Sequence, residues 1–501
     1  MINRIIRKLK KKKATADRQR FLEYYETEKV NPRAVFLEAR NGKEIDGNIY
    51  YMLKELLLCP DYADYEISVA SEEAVRDKIA AKIGRICPEA AERVSIKTVD
   101  SPEYYREITR AGFIICDATL KNFFIKKPGQ VYLNVWHGTP FKVMGRRVIH
   151  EPHATGNAQK NFTIADYLLY PNEYMMEHMI EDYMIADTAE GKILLGGYPR
   201  NTAFFDGERG MEIREENGLT EKRVYVYMPT HRPSLMGETL RGVLDSMEQL
   251  LGDDEILYAK VHPLASDSID YSCYSKIRKF PDEYETYEFL NMSDCLITDY
   301  SSVFYDFAVT GKKIVLYTYD EEEYLSTRGL YEPISSLPFT QVKTVEETLE
   351  AARTPKDYGD EAFIEKYCSH ESPEAAKVLC RRVIKGDASG AAAGRLIEKD
   401  MPGNGRKNAL VYVKDLRPGE KRDELMDFLE NVDKKEYNWF LTFNRADVAE
   451  DKDVLLKLPE DVYYFGRAGK AYETGDARKN EELEKLRCFG NMRIDEAFYA
   501  E

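Results

Sequence analysis

Three short segments of this 501-residue chain carry side chains that can move a proton or hold a phosphate. The first is Asn134-Val135-Trp136-His137-Gly138-Thr139-Pro140, at the end of an apolar run. An imidazole is the side chain best matched to proton transfer near neutral pH. Gly138 beside it lets backbone approach a ligand closely. A His that only caps a strand is the competing reading. The second is Lys260-Val261-His262-Pro263, again at a strand end. An imidazole there could donate to a phosphate oxygen; a hydrogen-bonded structural His is the alternative. The third is Thr298-Asp299-Tyr300-Ser301-Ser302-Val303, between a strand and a helix. Ser and Asp at a helix start satisfy orphan N–H groups, and the same groups favour a bound phosphate. By itself that segment reads equally well as a plain cap. His231, in Pro229-Thr230-His231-Arg232, comes closest to similar placement among the other five histidines. Lys142, Arg146, Arg147, Arg200, Arg232 and Arg328 are candidate phosphate cations, because Arg forks match phosphate oxygens. Most Arg in any chain is solvated, so each competes with that reading. GxGxxG, Walker, HExxH and nucleophile-elbow motifs are absent from the sequence.

These segments need strands to end on one cleft. Short apolar runs at Arg33–Ala39, Tyr65–Ala70, Val94–Val99, Gly112–Cys116 and Gln130–Trp136 alternate with helical stretches such as Tyr50–Leu58. A second series follows at Arg223–Met228, Glu255–Val261, Asp294–Thr298 and Lys313–Tyr317, with helices at Thr286–Met292 and Ser302–Val309. Strands alternating with helices imply parallel sheets covered on both faces. Two doubly wound units leave a crevice beyond the carboxyl ends of their strands, where ligands bind. The predicted architecture is therefore α/β: two Rossmann-like lobes, a basic amphipathic N-terminal helix and a small α/β C-terminal extension. The expected boundaries are 1–30 for the membrane-associating segment, 31–200 and 201–386 for the lobes, 387–407 for a linker, and 408–501 for a partial α/β unit. That unit has strands at Asn408–Val413 and Tyr437–Phe443 around a helix at Lys421–Asn431, and is expected to stop short of a full sheet.

The net charge of −16 argues against a general nucleic-acid binder. The charge is uneven. Residues 1–20 carry nine basic side chains against one acid, a local +8, which leaves −24 on the other 481 residues. Ile2, Ile5, Ile6 and Leu9 form one apolar stripe among those cations. Such a helix can lie on an anionic membrane surface, each nearby basic residue contributing about 1 kcal/mol. A frayed solvated tail or a nucleic-acid tail is the alternative. Eight scattered cysteines without CxxC fit a reducing compartment better than a disulfide framework. No apolar run reaches 18 residues.

Together the segments NVWHGTPFKVMG (134–145), GGYPRN (196–201), YMPTHR (227–232), KVHPL (260–264), SDCLITDYSSVFYDF (293–307) and RGLY (328–331) resemble the CDP-glycerol glycerophosphotransferase family, which includes teichoic acid primases and polymerases. The likeness covers roughly residues 33–385. It implies a GT-B-type pair of lobes with no cofactor and no required metal. It implies a CDP-glycerol or CDP-ribitol donor, an acceptor hydroxyl on a lipid-linked glycopolymer, and release of CMP. By the same resemblance His137 matches the general base and His262 the His that contacts the donor diphosphate. Gly138, Thr139, Arg232, Asp299, Ser301, Ser302 and Arg328 match substrate-binding positions. Thr202 and His231 depart from the family pattern, which bears on donor or acceptor selectivity. The expected location is peripheral, on the cytoplasmic face of the cell membrane, without nucleic-acid partners. A nucleotide-sugar glycosyltransferase or epimerase on the same fold, and a non-catalytic membrane-bound scaffold, are the competing functions.

Overall fold

The computed structural model describes residues 2–232, 234–266, 269–387, 396–414, 416–448, 451–490 and 492–500, without the side chains of 2–12, 90, 263 and 264. Seven parallel strands form the first sheet: β1 (Asn31–Glu38), β2 (Glu66–Ser71), β3 (Val94–Thr98), β4 (Ala111–Cys116), β5 (Val131–Asn134), β6 (Tyr167–Tyr170) and β7 (Lys192–Gly196). Their order is β7-β6-β5-β4-β1-β2-β3. The second sheet holds β8 (Arg223–Met228), β9 (Glu255–Ala259), β10 (Ile277–Lys279), β11 (Cys295–Thr298), β12 (Lys313–Tyr317) and β13 (Thr340–Val342), ordered β10-β9-β8-β11-β12-β13. The central strands are buried along nearly their whole length, as parallel strands covered on both faces must be. Covering helices show the matching stripe. In Glu238–Leu250 the buried residues are Leu240, Val243, Leu244 and Met247, one helical face.

Chain order does not respect the expected boundaries. The helix Ala375–Ile384 leaves the second lobe and buries Val378, Leu379, Cys380 and Val383 in the first lobe's core. The region expected as a linker then supplies β14 (Leu396–Asp400), which pairs antiparallel with β7 at the edge of the first sheet. Residues 388–395 of that region lie outside the described residues. The first helix spans Ile2–Thr27. The stripe and cations expected over 2–13 fall largely on side chains outside the described set, whereas Phe21 and Leu22 are buried in the first lobe. The C-terminal half of this helix is thus core rather than surface anchor. Among the described residues no helix is long and apolar enough to cross a membrane.

The extension is a complete small sheet rather than a fragment. Its strands β15 (Lys407–Val413), β16 (Tyr437–Asn444), β17 (Val462–Arg467) and β18 (Glu496–Ala500) run parallel in the order β17-β16-β15-β18. It docks on the first lobe: Gln159 donates to the Tyr464 carbonyl at 2.8 Å and the Tyr464 hydroxyl donates to the Pro152 carbonyl at 3.2 Å. Gly156 makes the contact possible, because a Cβ there would sit 1.7 Å from the Gly466 carbonyl oxygen. Gly156→Ala is expected to lower stability by about 1–3 kcal/mol through overpacking and to sensitise residues 407–500 to limited proteolysis; an unchanged melting curve and digest would show the docking to be dispensable.

The two lobes are stitched by reciprocal carboxyl caps. Glu285 of the second lobe accepts from the Gly47 N–H at 2.9 Å and the Tyr51 hydroxyl at 3.0 Å. Asp46 of the first lobe accepts from the Thr286 N–H at 3.1 Å. Each carboxyl therefore satisfies an orphan donor at the start of the other lobe's helix, Gly47–Leu58 or Thr286–Asn291.

Candidate active site

The site grows from the carboxyl ends of β1, β4 and β5, which are neighbours in the sheet. After β4 comes Asp117, and after β5 comes Trp136-His137-Gly138. Trp136 has a left-handed backbone, φ 46°, a strained state for a bulky residue that surrounding contacts must hold. Its ring stacks on His137 with centroids 4.4 Å apart. His137 Nδ1 lies 2.8 Å from the Asp117 carbonyl oxygen. A carbonyl can only accept, so Nδ1 carries the proton and Nε2 keeps its lone pair. Burial, with the nearby Arg40 and Arg200 charges adding, pushes the His137 pKa down to about 4. The ring is neutral at pH 7, the state a general base requires.

Gly138 lies against Ser302 of the second lobe. Its φ is 150°, and a Cβ would lie 3.3 Å from Arg200 Nη2 and 3.4 Å from Ser302 Oγ. Arg200 donates from Nη1 to the His137 carbonyl at 2.8 Å and from Nη2 to both Asp306 oxygens at 2.9 and 2.8 Å. A guanidinium predicted as a phosphate candidate is instead a buried tie between the His137 loop and the helix Val303–Phe307. That helix spans five residues, and Ser302 at its start makes no capping bond. The Ser302 hydroxyl faces the His137–Gly138 loop, so capping does not explain this segment.

Other predicted residues take supporting positions. Asp299 accepts from the Thr230 N–H at 2.8 Å and from Arg232 Nη1 at 2.5 Å. Arg232 also grips Asp320. Its fork is engaged between two carboxylates. Thr139 is likewise turned inward, its hydroxyl accepting from Asn172 at 3.1 Å. Both arrangements hold loops in place around the cleft.

Of the predicted cations, Lys142 and Arg328 have no carboxylate partner among the described residues. Residues 141–143 of the first lobe pair with 329–331 of the second: Tyr331 N–H donates to the Phe141 carbonyl and Val143 N–H to the Gly329 carbonyl, both at 3.0 Å. This brings Lys142 and Arg328 close. Burial pushes the Lys142 pKa down to about 8, Asp299 opposes the drop, and Arg328 and Arg232 add to it. A bound phosphate would relieve that crowding of positive charge. Arg328 is exposed and has no carboxylate partner among the described residues. Arg146 and Arg147 are paired with Glu181 and Asp182.

His262 is solvent-exposed and stacks on His231, centroids 4.1 Å apart. Its pKa is lowered by what burial it has, then by His231, Lys43 and Arg40. Lys43 and Arg40 belong to the other lobe, and Arg40 also acts on His137. The Arg40 charge thus acts on both imidazoles. Sequence reasoning did not single out Arg40 or Lys43; the usable signal was the Asn41-Gly42 turn directly after a strand.

Two Rossmann-like lobes joined in one chain are the GT-B arrangement. The chain belongs to the CDP-glycerol:poly(glycerophosphate) glycerophosphotransferase family, whose model matches residues 21–385. It is 26% identical over 378 residues to a teichoic acid poly(glycerol phosphate) polymerase of Staphylococcus epidermidis, covering 70% of this chain and 50% of that one. It is equally 26% identical to the polymerase of the same name from Bacillus spizizenii, covering 71% and 92%. The chain therefore spans about half the length of the first of these relatives. Its fold matches a solved structure of the wall teichoic acid polymerase TagF, with TM-score 0.60, 23% identity, and coverage of 77% of this chain and 97% of that one.

Proposed function

We propose that the protein is a transferase that moves glycerol phosphate, or ribitol phosphate, from a CDP-polyol to a hydroxyl of a teichoic-acid-like glycopolymer and releases CMP. The observation that carries this reading is the fixed tautomer of His137, whose Nδ1 is held by the Asp117 carbonyl at 2.8 Å so that Nε2 keeps its lone pair. The acceptor hydroxyl gives its proton to Nε2 as its oxygen attacks the phosphorus bearing the polyol. The bond from that phosphorus to the bridging oxygen breaks, and CMP leaves. Lys142 and Arg328 offset charge on the diphosphate, and His262 donates to a phosphate oxygen. Phosphoryl transfer needs such positioning and charge stabilisation more than covalent chemistry.

The acceptor is lipid-linked in this proposal, and the protein works peripherally on the cytoplasmic face of the membrane. The local +8 of residues 1–20 supports that placement. Parallel incubation with CDP-glycerol, CDP-ribitol and a UDP-sugar, followed by mass analysis of a lipid acceptor, tests the reaction; product from the sugar donor alone would overturn it. Removal of residues 1–13 should weaken binding to anionic liposomes while turnover of a soluble acceptor persists. Unchanged liposome binding would remove the membrane role.

A further inference from the structure

β8 and β9 are parallel neighbours whose register pairs Tyr227 with Ala259 near their carboxyl ends. The loops that leave them therefore run side by side, and each carries an exposed histidine, His231 after β8 and His262 after β9. The first loop is pinned on both sides of its histidine. The Thr230 N–H donates to Asp299 at 2.8 Å, and the buried Arg232 donates to the Thr230 carbonyl at 2.9 Å while gripping Asp299 and Asp320. With both neighbours tied inward, His231 is the residue this loop turns out. The second loop is fixed as well. The Lys260 N–H donates to the Tyr227 carbonyl at 2.9 Å, and the His262 carbonyl accepts from the N–H groups of Ala265 and Ser266 at 2.8 and 2.9 Å. The two rings stack with centroids 4.1 Å apart and planes inclined by 27°.

Packing alone does not account for this pair, because both residues remain exposed and so remove little apolar surface from water. Charge does not favour it either. The groups that act on His262 are His231 and, from the other lobe, Lys43 and Arg40; all are basic and none is a carboxylate. Stacked imidazoles facing further cations repel as they take up protons, and a bound anion reverses that sign. Each ring keeps at least one N–H donor in either protonation state, so the stack offers two donors side by side. A diphosphate has two adjacent phosphates to receive them, whereas a monophosphate has one. Resting on the transferase reading above, we infer that His231 is a second diphosphate-binding residue, its ring N–H taking one phosphate of the CDP-polyol while that of His262 takes the other. Transfer divides the diphosphate and leaves CMP with one of the two contacts. The pair therefore holds donor more tightly than product and favours the product's release.

The test is calorimetric titration of the full chain with CDP-glycerol, CDP and CMP. His231→Phe keeps a ring for the stack and removes its N–H; His262→Phe does the same on the other side. Each should weaken CDP-glycerol and CDP about tenfold, the scale of one hydrogen bond to a charged group. Only one of the two should weaken CMP, because CMP keeps a single phosphate. Melting curves check that both variants are folded. Unchanged CDP affinity in His231→Phe, equal loss of CMP affinity in both variants, or no binding of CDP by the unaltered protein would overturn the assignment. A second readout needs no ligand: the His262 ring is titrated by NMR. Burial and then the His231 charge lower its pKa, so His231→Phe should raise it. No rise would show the rings standing apart in solution and would also overturn the pair. Failure of every CDP-polyol to release CMP would sink the transferase reading, and the CDP and CMP titrations would still report on the two imidazoles.

Discussion

Replacing His137 with Gln is expected to lower kcat for polyol-phosphate transfer by about 10²- to 10⁴-fold, the usual worth of a positioned general base. Donor binding should survive, because Lys142, Arg328 and His262 sit elsewhere on the cleft. The pH profile gives a sharper check. The base works when neutral, and the His137 pKa is pushed down to about 4. Its neutral form therefore persists as pH falls from 7, and its contribution is lost only below about 4. An ordinary exposed imidazole would instead give an acid limb near 6.5. The measurement is kcat/KM for the free protein across pH 4–8, with intrinsic fluorescence reporting that the fold is intact. A plateau extending below pH 6 supports His137 in this environment. A limb centred near 6.5 that vanishes in the Gln variant would show the ring to be solvated instead. Full activity in the variant would remove His137 as the base altogether.

Arg200→Ala carries the largest expected stability effect. Arg200 and Asp306 are buried together, their side chains 6% and 5% exposed. Removing one partner of such a pair leaves an uncompensated buried charge and costs about 3–5 kcal/mol. The variant also strips the His137 carbonyl of its donor at 2.8 Å, so activity should fall with stability. Arg200→Met combined with Asp306→Leu should regain much of the lost stability, because an apolar pair leaves no orphan charge. It should not restore activity, because the His137 loop still lacks its tie. Denaturant titration alongside turnover separates the two outcomes. A loss below about 1 kcal/mol in Arg200→Ala would mean that water reaches Asp306 and that the tie is not sealed.

Much of this arrangement was legible because its signals are local. Continuous apolar runs marked β4, β8, β9, β11 and β12, and the matched motifs placed His137 and His262 at strand ends. The short strands were harder. Tyr167–Tyr170 and Lys192–Gly196 carry only four and five residues, and the edge strands Ile277–Lys279 and Thr340–Val342 are three residues long and partly polar. The return of Ala375–Ile384 and Leu396–Asp400 to the first lobe is a long-range choice that no window of sequence encodes. The roles of arginines were the least legible. Arg200, Arg232 and Arg328 look alike in a string of letters. Their functions diverge because Asp306, Asp299 and Asp320 arrive from distant segments to claim the first two, while the third is left open. Arg40, at the Asn41-Gly42 turn, escaped notice for a related reason: its partner Asp117 is 77 positions away.

The reciprocal caps at Asp46 and Glu285 have a thermodynamic corollary. Glu285 is buried against Asp46, and both burial and that neighbouring carboxylate hold its pKa well above the ordinary range. The pair keeps one proton while the seam is closed. Lys82 and Lys260 face Asp46 and favour its ionised form, so the proton resides on Glu285. If the jaws part, water reaches Glu285, its acidity returns to normal and it discharges that proton at neutral pH. Gape and protonation are then a single coordinate. Acid should therefore favour the closed seam and alkali weaken it, a pH response of stability separate from that of the imidazole.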